Sequence, residues 1–221
     1  MHFKVLLIYF MENKLDYSDD IKTIKKIMEE SSRFLSLSGL SGLFAGFFAV
    51  LGGCIAHFGI LKSKTFFINE PLINLPIQDI SSIKIQLITD ALLVLILALA
   101  GAFYFSYRKA RRKGQKIWTP VSKRLLLSLC IPLIAGAFFV MIFYIESQWH
   151  LIVPSMLIFY GLALISAGKF TYSEVFYLGL AELLTGFSAA IFQGSAILFW
   201  ILGFGFLHLA YGLIMYRKYK G

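Results

Sequence analysis

The sequence predicts an all-α polytopic membrane protein: six transmembrane helices preceded by a cytoplasmic amphipathic N-terminal helix. Two observations carry that expectation. Hydrophobic residues make up 58% of the 221 and charged residues 15%, with a mean hydropathy of +0.76. An average soluble domain is about 45–50% apolar and about 25% charged. The apolar residues also gather into runs of about 20, the length a helix needs to cross the hydrocarbon. Backbone polar groups cannot stay unpaired in lipid, so each such run must be helical.

The net charge of +9 does not point to nucleic acid, because of where the charge sits. Eight of the 21 Lys and Arg lie between Arg108 and Arg124, and three more in the last five residues. Cytoplasmic flanks of spanning helices carry this bias. The two cysteines, Cys54 and Cys130, fall in different apolar runs at different depths, so no disulfide is expected. No paired-cysteine metal motif is present, and no metal or cofactor is expected.

The chain divides into a cytoplasmic segment over 1–34, a six-helix transmembrane domain over 35–216 and a basic tail over 217–221. "MHFKVLLIYF" makes a poor signal peptide, with a short apolar core and no small-residue cleavage site after it. Met11 opens a more ordinary cytoplasmic start, "MENKLDYSDD", and translation is expected to begin there. Ile21, Ile24, Ile27, Met28 and Leu35 then recur at helical spacing behind Asp19 and Asp20, which suit a helix N-terminus. This segment reads as an interfacial helix, with docking to a soluble cytoplasmic partner as the sharper alternative.

The six runs lie at roughly 36–60, 86–107, 124–146, 150–168, 172–191 and 195–216. The 61–85 stretch contains Pro71 and Pro76, which argue against one long helix there. The 107–124 loop must be cytoplasmic; six spans then place both termini inside, and "YRKYKG" agrees. Thr119-Pro120 sets a capping residue before a first-turn proline. "TYSE" at 171–174 fits a capping box in which Thr171 and Glu174 satisfy orphan amides. "LFAGFFAV" at 43–50 and "LIAGAFFV" at 133–140 form a weak repeat, which in so apolar a chain can arise by chance.

Glu182 is the residue that most needs explaining. It sits near the middle of the fifth run, where an ionised acid costs about 2.5–3.5 kcal/mol on insertion scales. It must be protonated, paired, or facing a wet cavity. Counting inward from the cytoplasmic ends at about 1.5 Å per residue, Glu182 and His208 reach similar depths. They are expected to form a buried hydrogen-bonded pair, with Thr185 and Tyr211 one turn away on the same two helices. Helix–helix glue is the ordinary role for such a pair; a proton or ion path is the alternative. A second set, His57, Asp90, Glu146 and His150, falls near the outer boundary. Two imidazoles and two carboxylates at one level suit a metal, but boundaries are where polar side chains ordinarily sit, and interfacial polarity is the reading preferred.

"GLSG" at 39–42 resembles the serine motif of rhomboid intramembrane proteases, a family that also uses a histidine on a late span. Here the motif lies on the first span at the cytoplasmic side, whereas that family places its serine on a middle span opening outward. The small residues Ser38, Gly42 and Gly46 read instead as a helix-packing stripe. The stretches "HLIVPSMLIFYGLALISAGKFTYSEVFYLGL" and "WILGFGFLHLAYGLIMYRKY" resemble a family of small bacterial multi-span membrane proteins with no assigned activity. That resemblance implies the bacterial inner membrane and carries no site residues. A non-catalytic signalling or accessory module is therefore expected, with the bilayer, a soluble protein and a second copy of the chain as candidate partners. A small proton-coupled carrier using Glu182 and His208 is the alternative, and an enzyme acting on a lipid-like substrate the third.

Overall fold

The structure is a computed structural model that describes residues 34, 37–61, 77–114, 116–192 and 194–219, with backbone alone at 77–80. The N-terminal amphipathic helix and the choice of start methionine lie outside the described residues. Among the described residues there is no strand. Among them six helices are long and apolar enough to span: α1 Gly39–Ile60, α2 Ile77–Arg112, α3 Pro120–Ile145, α4 Trp149–Gly168, α5 Ser173–Ile191 and α6 Ala196–Lys218. The chain is an all-α membrane protein.

Among the described residues two helices contain π-helical turns, and α4 opens with a 3-10 turn over Trp149–Leu151. α1 ends in a π-helical turn over Ile55–Ile60, and α6 carries one over Ile201–Leu207 at its middle. α2 starts earlier than hydropathy predicts. Residues 77–85 were expected in a loop, but they continue the helix from just behind Pro76. Pro breaks a helix in its interior and is tolerated immediately before or at its start. Lys84 on this extension lies over the Trp149 ring at 4.0 Å, joining α2 to the head of α4.

The helices form an inner group and two outliers. α6 packs against α1, α4 and α5, and α4 packs closely on α5. α2 rests on α1 and α3 on α4. Only 11% of the apolar window of α2 and 6% of that of α3 is buried by this chain, so most of their apolar surface is left exposed. The weak repeat does not mark equivalent positions: Gly46 abuts α6 at Gly205 and Leu209, whereas Gly136 abuts Phe159 of α4.

The α1–α6 contact is made by small residues, as the "GLSG" stripe suggests. A Cβ at Gly42 would stand 2.8 Å from Cδ1 of Tyr211, and one at Gly46 would stand 2.7 Å from the Gly205 carbonyl oxygen. In a bilayer, apolar side chains gain little by leaving lipid, and close backbone approach supplies the attraction.

End signals are partly as expected. Thr119 caps α3: its Oγ1 accepts from the Ser122 amide at 3.1 Å, and Ser122 Oγ accepts from the Thr119 amide at 2.8 Å. The capping box expected at 171–174 is not formed. The N-cap of α5 is Tyr172, with no side-chain cap. Thr171 donates instead to the Phe34 carbonyl at 2.7 Å, and the Phe34 amide donates to the Phe170 carbonyl at 2.7 Å. Glu174 accepts from Lys218 at 2.6 Å and from the Tyr219 hydroxyl at 3.1 Å. A tertiary partner has outcompeted the local cap at both positions.

Candidate functional site

The mid-depth acid lies where α4, α5 and α6 meet. The Glu182 side chain is fully enclosed, and His208 is 6% exposed. Nδ1 of His208 lies 3.2 Å from Oε1 of Glu182, so the two residues are paired across α5 and α6. The contact is a close electrostatic one; a well-aligned hydrogen bond, expected from the sequence, is not formed. The Nδ1–H direction favours the Gly203 carbonyl, 3.3 Å away, and neither Glu182 oxygen accepts a well-aligned bond among the described residues.

That carbonyl can only accept, so Nδ1 carries a hydrogen. In the neutral ring Nε2 is then an acceptor, and the Tyr160 hydroxyl donates to it at 2.8 Å. The three side chains Tyr160, His208 and Glu182 thus link α4, α6 and α5. Tyr160 also stacks on the imidazole, with centroids 5.5 Å apart at 24°. Phe204 and Trp200 extend the row of rings along α6, at 4.8 Å from each other.

Gly203 makes room for the acid. A Cβ there would stand 2.6 Å from Oε2 of Glu182 and would also meet the Leu157 side chain. Gly203 lies inside the π-helical turn of α6, which ends directly before His208. Such turns insert a residue into a helix and re-aim the side chains that follow.

Thr185 and Tyr211 do not join the cluster by hydrogen bonds. Thr185 Oγ1 donates back to the Ala181 carbonyl of its own helix at 2.8 Å. The Tyr211 ring packs against Gly42 of α1. The residue missed by the sequence reading is Tyr160. Depth could have found it, since it lies eight residues above Gly168 and His208 ten above Lys218, about 12 and 15 Å respectively.

The outer set comes from four helices. His57 is buried in the π-helical turn of α1, and Asp90 of α2 lies beside Gly52, with Oδ2 at 3.3 Å from a Cβ built there. Glu146 ends α3 and His150 begins α4, both exposed. Among the described residues no three His, Cys, Asp or Glu side chains gather as a metal would require.

At the end carrying the 108–124 loop, several contacts tie the chain together. Lys109 donates to the Leu37 carbonyl at 2.8 Å, and the rings of Tyr172 and Tyr219 lie 4.3 Å apart. Tyr172 sits between α4 and α5. Burial, and then the neighbouring Tyr219 and Glu174, push its phenol up to about 12.

No protein-family model, curated protein or solved structure matches this chain.

Proposed function

We propose that this is a non-catalytic membrane module, signalling or accessory, that engages a soluble partner through the 1–34 segment and the 108–124 loop. The observation that supports this reading is the closure of the Glu182–His208 contact. A pathway for a polar solute needs polar groups lining a wet route. Here the acid is fully enclosed, its imidazole is 6% exposed, and Tyr160 and Gly203 occupy both ring nitrogens. The three residues fasten α4, α5 and α6. The basic 108–124 loop is largely exposed, and in this reading it and both termini are cytoplasmic, as the positive-inside rule favours, in a bacterial inner membrane. A homo-oligomer is compatible with the lipid-facing α2 and α3.

A small proton-coupled carrier is the second reading, favoured by the Tyr160–His208–Glu182 chain itself, since relays are built from such groups. One experiment separates the two. The full chain and its Glu182→Gln variant are reconstituted in liposomes loaded with a pH-sensitive dye, and in parallel tested for cross-linking to cytosolic protein. The module reading expects no flux attributable to Glu182, and cross-links that disappear when the 108–124 cations are neutralised. Flux abolished by Glu182→Gln in a folded protein would overturn it.

A further inference from the structure

Asp90 lies deeper among the spans than its place near the start of an apolar run suggests. Its carboxyl faces Gly52 of α1, with Oδ2 and Oδ1 at 3.3 and 3.6 Å from a Cβ built there. α1 has 22 residues, about 33 Å of helix against about 30 Å of hydrocarbon. Gly52 stands eight residues before the end at Ile60, so Asp90 sits about 12 Å inside. The neighbouring Gly53 meets Ile201, two residues before the Gly203 that seats Glu182. Glu182 and Asp90 therefore lie at nearly one level, the first enclosed by α4, α5 and α6 and the second out on α2.

Unlike Glu182, Asp90 has no counter-charge. Among the described residues no hydrogen bond or ion pair reaches its carboxyl. Lys84, six residues away on the same helix, lies over the Trp149 ring, and the other Lys and Arg of the described spans gather near the span ends. The side chain is only partly buried. Val94, one turn on, is buried against Gly52, whereas Gln86 and Leu93, one turn to either side along the same edge, are exposed. Asp90 thus stands at the rim of the α1–α2 contact, on a helix whose flank this chain leaves open. An acid at such depth ordinarily meets an opposite charge. Phospholipid headgroups lie above it, and the cations of the described spans do not reach it.

We propose that this flank of α2 docks a transmembrane helix of another protein that carries a lysine or arginine near the middle of its span, with Asp90 as the charge partner. Such a cation has the same need for an opposite charge in the hydrocarbon. Charge complementarity selects this occupant over a second copy, since no described span of this chain offers a mid-depth Lys or Arg. The contact lies within the membrane and does not rest on the soluble partner or on flux.

The test uses the full chain reconstituted in phosphatidylcholine vesicles with synthetic Leu-Ala transmembrane peptides of about 20 residues. The peptides carry lysine, glutamine or leucine at the centre, and energy transfer between labelled protein and labelled peptide reads association. The lysine peptide is expected to be favoured over the leucine peptide by about tenfold, the scale of one hydrogen bond between charged groups, and over the glutamine peptide as well. Asp90→Asn is expected to remove the preference with helicity unchanged. Glu146→Gln, which neutralises an exposed acid at the end of α3, is expected to leave it in place. Moving the lysine to the end of the peptide is expected to remove it. Equal association of the three peptides overturns the proposal. A glutamine peptide that matches the lysine peptide does so too, because it shows a neutral acid that hydrogen-bonds. So does a preference that survives Asp90→Asn or a terminal lysine, or one that vanishes with Glu146→Gln. Energy transfer between two copies of the chain, lost in Asp90→Asn and without a lysine preference, assigns the flank to self-association and also overturns it. Should Asp90→Asn fail to fold, the terminal-lysine peptide decides.

Discussion

The carboxyl of Glu182 rests on the backbone of Gly203: a Cβ at that position would stand 2.6 Å from Oε2. A glycine on one helix and an acid on the next therefore form one packing unit. Gly203→Ala is expected to destabilise the protein by about 1–3 kcal/mol, the range for overpacking a filled site. Thermal unfolding in detergent measures this; an unchanged midpoint would mean the carboxyl is not seated there.

Glu182 and His208 should be energetically coupled. A double-mutant cycle with Glu182→Gln and His208→Asn is expected to give about 0.6–1.7 kcal/mol, the span found for polar contacts between membrane helices. Additive effects would show that the 3.2 Å approach contributes no coupling energy.

Tyr160→Phe keeps the ring that stacks on His208 and removes the hydroxyl that donates to Nε2. The expected loss is about 0.5–1.5 kcal/mol, one net hydrogen bond. The Nε2 nitrogen chemical shift should move with it, and a shift identical to wild type would refute the bond.

Gly212→Val tests the α1–α6 crossing. A Cβ there would stand 2.8 Å from the Gly39 carbonyl oxygen and would meet the Leu43 amide, both backbone atoms that no rotamer change can move. Loss of folded, monodisperse protein is expected. Gly114→Ala, where nothing lies within 4 Å, should cost about 1 kcal/mol through its positive φ alone.

Tyr172 supplies a pH dependence. Its phenol is raised from the ordinary 10.0 to about 12. The folded state therefore holds its proton more tightly than the unfolded chain does. The resulting stability is complete below pH 10 and is lost as pH rises from 10 to about 12. Tyr172→Phe should flatten that part of the stability curve, read by thermal unfolding across the alkaline range.

Hydropathy revealed the six crossings because lipid forces every long apolar run to be helical. It placed the ends of α1, α4 and α5 well for the same reason. It missed the start of α2, since residues 77–85 carry polar side chains and that extension is not dictated by lipid. At Glu182 a lone acid in an apolar run announced that a partner must exist, and equal depth selected His208. Tyr160 escaped because a tyrosine among many aromatic residues carries no such demand. Thr171 and Glu174 have the right spacing for a local cap, but each found a tertiary partner, which spacing alone does not reveal. The π-helical turns leave no mark in the hydrophobic pattern.

The glycine-lined face of α1 meets α6, and among the described residues four spanning helices lie between them in the chain. During synthesis α1 must therefore wait in the membrane, its small-residue groove filled by lipid or by a chaperone, until the last span is released. Ribosome stalling ahead of α6 should leave α1 open to cross-linking by insertion factors, so the timing of assembly is governed by the segment made last.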